Sequence, residues 1–143
     1  MADGLVTLRS MVTRPAAVEQ ITRAILVQRG HRVLLDTELA ILYGVTTKRL
    51  NEQIRRNRGR FPDDFVFQLR AEEAASLRSR IATSKTPRRG GRRYLPYAFT
   101  EHGAIMAASV LNSDRAIEMS IYVVRAFVRL RELLSSNRKL ARR

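Results

Sequence analysis

The chain has 143 residues, no cysteine and only two histidines, and carries 27 Lys and Arg against 13 Asp and Glu, a formal net charge of +14. That length fits one domain with one core, while the composition leaves no disulfide framework or thiolate metal site, and no apolar run approaches a membrane span. A pI near 11.5 draws in polyanions, and Met1–Ser10 lacks the pattern of a signal peptide, so a cytoplasmic protein, bacterial or viral, is expected.

Residues 1–15 have no clear period and read as a loose segment. Pro15 suits the first turn of a helix over 16–24, with Val18 and Ile21 inward. Two short apolar runs, 25–28 and 32–35, flank Arg29-Gly30-His31 and predict a tight hairpin. Asp36 or Thr37 then offers a side-chain oxygen to cap a helix whose apolar face is Leu39, Ala40, Leu42 and Tyr43. Gly44 permits the left-handed backbone that ends it. Thr46 or Thr47 caps a second helix with Leu50 and Ile54 inward. Its outward residues are Lys48, Arg49, Asn51, Glu52, Arg55, Arg56 and Arg58, before Gly59 and Pro62 stop it. Two short helices around a Gly-Val turn, the second loaded with cations, read as a helix-turn-helix.

Phe65, Phe67 and Leu69 alternate on one face of a predicted strand. A helix follows over 71–81, with Ala74, Leu77 and Ile81 on one side and Glu72 and Glu73 at its start. Residues 83–93 form a basic, Gly-containing loop, and Pro96 makes any strand over 94–99 short or an edge. Thr100 caps a helix over 101–111, with Ile105, Ala108 and Leu111 as expected core. The last helix starts at Ser113 or Asp114, runs to about Leu134, and is followed by a basic tail, 135–143. Its apolar residues form two stripes: Ile117, Ile121, Val124 and Val128, and Ala116, Met119, Val123, Phe127, Leu130 and Leu134. Together they are wider than a surface helix needs. Either the helix is central in its own domain, or one stripe packs inward and the other meets a second subunit; the second arrangement, a homodimer through 114–134, is preferred.

The run LLDTELAILYGVTTKRLNEQIRRNRGRFPDDFVFQL, the loop TSKTPRRGGRRYLPYAFTEHGAIMAASVLNSDRAIE and the later VVRAFVRLRELL together resemble the "ORF-six N-terminal" domain of phages and prophages, which is grouped with the KilA-N and Bro-N DNA-binding domains. The resemblance spans roughly residues 18–134. It implies double-stranded DNA as the partner, a phage or prophage origin, and a role in transcription regulation or antirepression. The fold expected is α+β: a KilA-N/Bro-N-like domain over 16–134, several helices packed with a small antiparallel sheet and a long C-terminal helix.

A helix fits the major groove, where Arg pairs with guanine and Asn with adenine. Thr47, Lys48, Asn51 and Arg55 are the candidate base readers, with Asn51 set against the simpler reading of a solvent-facing polar residue. Arg49, Arg56, Arg58 and Arg60 are candidate phosphate contacts. In the loop, Lys85, Arg88, Arg89, Arg92 and Arg93 are further phosphate candidates, set against the simpler reading of a solvated basic loop. The hairpin tip, Arg29, His31 and Arg32, is a weaker third contact.

Two other classes compete. A metal-dependent nuclease needs converging carboxylates, and Asp63-Asp64, Glu72-Glu73 and Glu101-His102 are pairs of sequence neighbours that diverge on a helix. Capping and dipole roles account for them more simply, so no catalytic residue, metal, cofactor or small-molecule substrate is assigned and no enzyme is expected. Alternatively, the wide apolar face of the last helix captures a protein, as an antirepressor module that does not need DNA.

Overall fold

The computed structural model describes residues 15–81 and 95–142. Among them the architecture is α+β, with six α-helices around a four-stranded antiparallel sheet. Helix α1 is Pro15–Ala24, strand β1 Leu26–Gln28, β2 His31–Leu35, helix α2 Asp36–Tyr43 and α3 Thr47–Arg56. A 3-10 turn, Arg58–Arg60, leads to β3 Val66–Gln68, α4 Ala71–Ile81, β4 Tyr97–Phe99, α5 Glu101–Leu111 and the long α6 Asp114–Arg142.

The hairpin forms where the two apolar runs predict it. Arg29 and Gly30 both take positive φ, 53° and 79°, the two-residue turn whose twist suits flanking strands. His31, expected in the turn, opens β2 and pairs with Gln28. The sheet order is β1-β2-β4-β3. β4 is short, as Pro96 predicts, but it lies inside the sheet, paired with β2 on one side and β3 on the other. Pro96 precedes the strand, so its missing N–H costs no ladder bond, and its carbonyl accepts from Leu69 N at 2.9 Å.

Both faces of the sheet are covered. Leu34, Val66 and Phe99 point into the main core with Ile21, Leu39, Tyr43, Leu50, Ile54, Met119, Val123 and Phe127. Val33, Phe67, Leu69 and Ala98 form a second cluster with Leu77 of α4. The expected single face Phe65-Phe67-Leu69 is therefore corrected: Phe67 and Leu69 join the second core, while Val66 enters the main one. A strand buried on both faces loses the alternation on which a one-sided reading relies.

Helix α5 is turned from the expected face. Gly103, Ala104, Ala107 and Ala108 are buried, and Ile105 is 40 % exposed. The small residues let backbones approach: a Cβ on Gly103 would collide with the carbonyl of Phe65. Thr100 caps α5 as predicted, accepting from Gly103 N at 3.3 Å and donating to Asp64 O at 2.9 Å. Helix α6 runs on to Arg142 rather than stopping near Leu134, so residues 135–142 continue the helix. Its stripe Ala116, Met119, Val123 and Phe127 is buried, whereas Ile117 and Ile121 are exposed.

Candidate nucleic-acid interface

Helices α2 and α3 meet at Gly44, whose φ of 73° and ψ of 31° give the left-handed cap expected from the sequence. A second constraint comes from far along the chain. Arg115 of α6 lays its side chain over Gly44, 3.1 Å from where a Cβ would stand. Its Nε donates to Leu42 O at 3.2 Å, satisfying a carbonyl at the end of α2. Thr46, rather than Thr47, caps α3 and accepts from Arg49 N at 3.0 Å.

The inward side of α3 is Leu50 and Ile54, both buried, with Asn51 beside them. Lys48, Arg49, Arg55 and Arg56 are exposed, and Glu52 lies among them. Asn57 caps the helix, its side chain donating to Gln53 O at 2.8 Å. Arg58 and Arg60, both exposed, therefore sit on the 3-10 turn and not on the helix. Among the described residues, none of these six cations takes part in an ion pair. Glu19, Glu73 and Glu101 are paired with cations distant in the chain, and Glu72 with the nearby Arg70. The α3 surface thus keeps a net positive field, six cations against the one acid Glu52 on the helix and its 3-10 turn.

Of the four candidate base readers, Lys48 and Arg55 are exposed, Thr47 is half-buried at the first helical position, and Asn51 is buried. The expectation for Asn51 is corrected. Only 6 % of it is exposed, and its Nδ2 donates to Asp36 Oδ2 at 2.9 Å. The same Asp36 oxygen accepts from Tyr97 N of β4 at 3.1 Å. Asp36 is corrected with it: it is the first residue of α2, fully buried, and Leu35 is the cap. Local sequence gives no signal for this pair, because a residue on the flank of a helix reads as outward until something packs against that flank.

The hairpin tip is also committed elsewhere. Arg29 donates through Nε and Nη2 to Glu73, both at 2.8 Å, and through Nη2 to Gln68 O at 3.1 Å, with its guanidinium 4.5 Å from the Phe67 ring centre. The Arg29 guanidinium and the Arg70 N–H hold the Glu73 carboxyl at about 2, well below its usual range. Arg29 is accordingly a structural cation, while His31 is exposed and Arg32 half-buried. The loop candidates Lys85, Arg88, Arg89, Arg92 and Arg93 lie outside the described residues.

The carboxylates weighed for metal chemistry are separated. Glu73 is held by Arg29 and Glu101 by Arg131 at 2.6 Å, while Asp63 and Asp64 sit in an exposed turn. Among the described residues no group of three His, Cys, Asp or Glu could hold a metal. No described helix is long and apolar enough to cross a membrane. A cleft of about 490 Å³ borders the end of α3, lined in part by Ile54, Arg58, Phe61, Asp63 and Tyr97.

The model of the ORF6N domain matches residues 23–110, a span that takes in the hairpin, α2, α3, β3, α4, β4 and nearly all of α5. No curated protein and no solved structure matches the chain.

Proposed function

This chain belongs to the ORF6N domain family, and on that premise we propose that it binds double-stranded DNA through the exposed face of α3. The family is of the phage type grouped with KilA-N and Bro-N. The observation that carries the reading is the cation surface Lys48, Arg49, Arg55, Arg56, Arg58 and Arg60, solvent-exposed and free of ion pairs among the described residues. Behind it, Leu50, Ile54 and Asn51 anchor the helix in the core. In this reading α2 and α3 act as a helix-turn-helix, with α3 in the major groove.

Lys48 and Arg55 are the base readers and Thr47 a minor one. Arg49, Arg56, Arg58 and Arg60 grip phosphates, which fix position without reading sequence. Asn51 sets the pose of α3 from behind and touches no base. The basic segment 85–93 adds phosphate contacts. The biological role proposed is transcription regulation or antirepression in a phage or prophage, with no enzymatic step.

Fluorescence-anisotropy titration of a labelled duplex pool over a salt series tests this. Binding is expected to weaken linearly on a log–log plot, with a slope of about −4 from the four phosphate contacts of α3 and its turn, steepening toward about −8 with the cations of segment 85–93. A triple variant Arg49→Glu, Arg55→Glu, Arg56→Glu that keeps its fold and its affinity would overturn the reading.

A further inference from the structure

Helix α6 leaves one apolar stripe outside the core. Ile117 and Ile121 are 47 % and 49 % exposed, and Val124 and Val128 are half-buried on the same side. Their spacing is four, three, four, the heptad seam that a second helix fills by knobs-into-holes packing. All four are β-branched and therefore stiff at χ1, so their packing surface is already ordered. Ile105 of α5, also exposed, lies one turn from Glu101, whose bond to Arg131 ties α5 to the far end of this seam.

The flanking charges select the occupant. Glu118 follows Ile117 and Arg125 follows Val124; both are exposed, both lie on one flank of the seam, and neither forms an ion pair among the described residues. Arg125 lies over Tyr122 of the same helix, 5.4 Å from its ring centre. A surface with opposite charges one heptad apart complements itself under a two-fold rotation.

We infer that α6 pairs with α6 of a second copy of this chain, antiparallel, about a two-fold axis passing between Ile121 and Val124. Ile121 packs on Val124 of the partner subunit and Ile117 on Val128 of the partner subunit. Glu118 then faces Arg125 of the partner subunit, twice by symmetry. A parallel, in-register pair would not bring these two charges together. Dimerisation through α6 needs no DNA and does not depend on the α3 surface.

Sedimentation velocity over a concentration series, with circular dichroism on each variant, is the test. The chain is expected to dimerise, and Ile121→Glu to weaken dimerisation about 100-fold while keeping the helix content, because a carboxylate would be buried unpaired against Val124 of the partner subunit. Glu118→Arg and Arg125→Glu should each weaken it, and the double variant E118R/R125E should restore it. The absence of cysteine permits a second readout: I121C protein mixed with V124C protein should form the mixed disulfide faster than either forms its own. A monomer at all concentrations overturns the inference, as does a dimer indifferent to Ile121→Glu. A dimer that the charge swap fails to restore overturns the antiparallel pairing. A monomer destabilised by Ile121→Glu would show instead that the chain covers this face itself.

Discussion

Asn51 Nδ2 donates to Asp36 Oδ2 across 2.9 Å, joining the flank of α3 to the first residue of α2 inside the core. Because the same oxygen also accepts from Tyr97 N, one buried carboxylate ties the cationic helix to both its partner helix and the sheet.

Replacing Asn51 with Ala removes a hydrogen bond to a buried carboxylate, an interaction of about 1.5–3 kcal/mol. Stability in urea should fall by about 2 kcal/mol, where an exposed polar residue would cost under about 0.5 kcal/mol. Affinity for matched and scrambled duplexes should fall together. A selective loss on the matched duplex, with stability unchanged, would return Asn51 to the base readers.

Gly44→Ala forces a side chain into left-handed backbone and against Arg115. The conformational part alone costs about 1–2 kcal/mol. The midpoint of urea unfolding should shift accordingly, and Arg115→Ala combined with Gly44→Ala should lose less than the sum of the two single changes, since both act on one contact.

Gly103→Ala addresses a different constraint, because the backbone there is ordinary helix and the space is missing. The new methyl would meet the carbonyl of Phe65, so α5 must move away from the start of β3. A loss of about 3 kcal/mol or more is expected, measured by thermal unfolding, against a negligible effect for Gly59→Ala, where a Cβ meets open space.

Phosphate and base contacts separate by salt. Arg56→Ala should lower the magnitude of the salt slope by about 1 and weaken all duplexes alike. Lys48→Ala or Arg55→Ala should instead narrow the gap between a selected site and its scramble by about 1–3 kcal/mol. Anisotropy titrations on both duplexes at several salt concentrations read the two effects independently.

Acid stability should report on Glu73. Its folded-state value near 2 lies below the ordinary 4.5, so its contribution is present above about 4.5 and is lost as pH falls toward 2. Glu73→Gln should therefore lower stability at neutral pH and flatten the acid limb over that window. A mutant curve parallel to the parent's through pH 4.5 to 2 would remove Glu73 from the account.

The local elements are legible in the order of residues alone. Apolar spacing marks the helices, Gly44 and Thr100 mark helix ends, the two runs around Arg29-Gly30 mark the hairpin, and charge marks the outer face of α3. These signals act over a few residues, through backbone conformation, capping and periodicity, and so they are written contiguously. Which flank each helix buries is set by the assembled fold. Asn51 is inside because Asp36 lies 15 residues away in the chain and 2.9 Å away in space. Arg29 is spent on Glu73 rather than left for a ligand, α5 faces inward with its glycine and alanines, and of the two stripes on α6 one is core and the other is surface. Each of these outcomes depends on long-range partners. Side-chain burial is fixed by what arrives against a surface, and one chain's local pattern carries no record of that arrival.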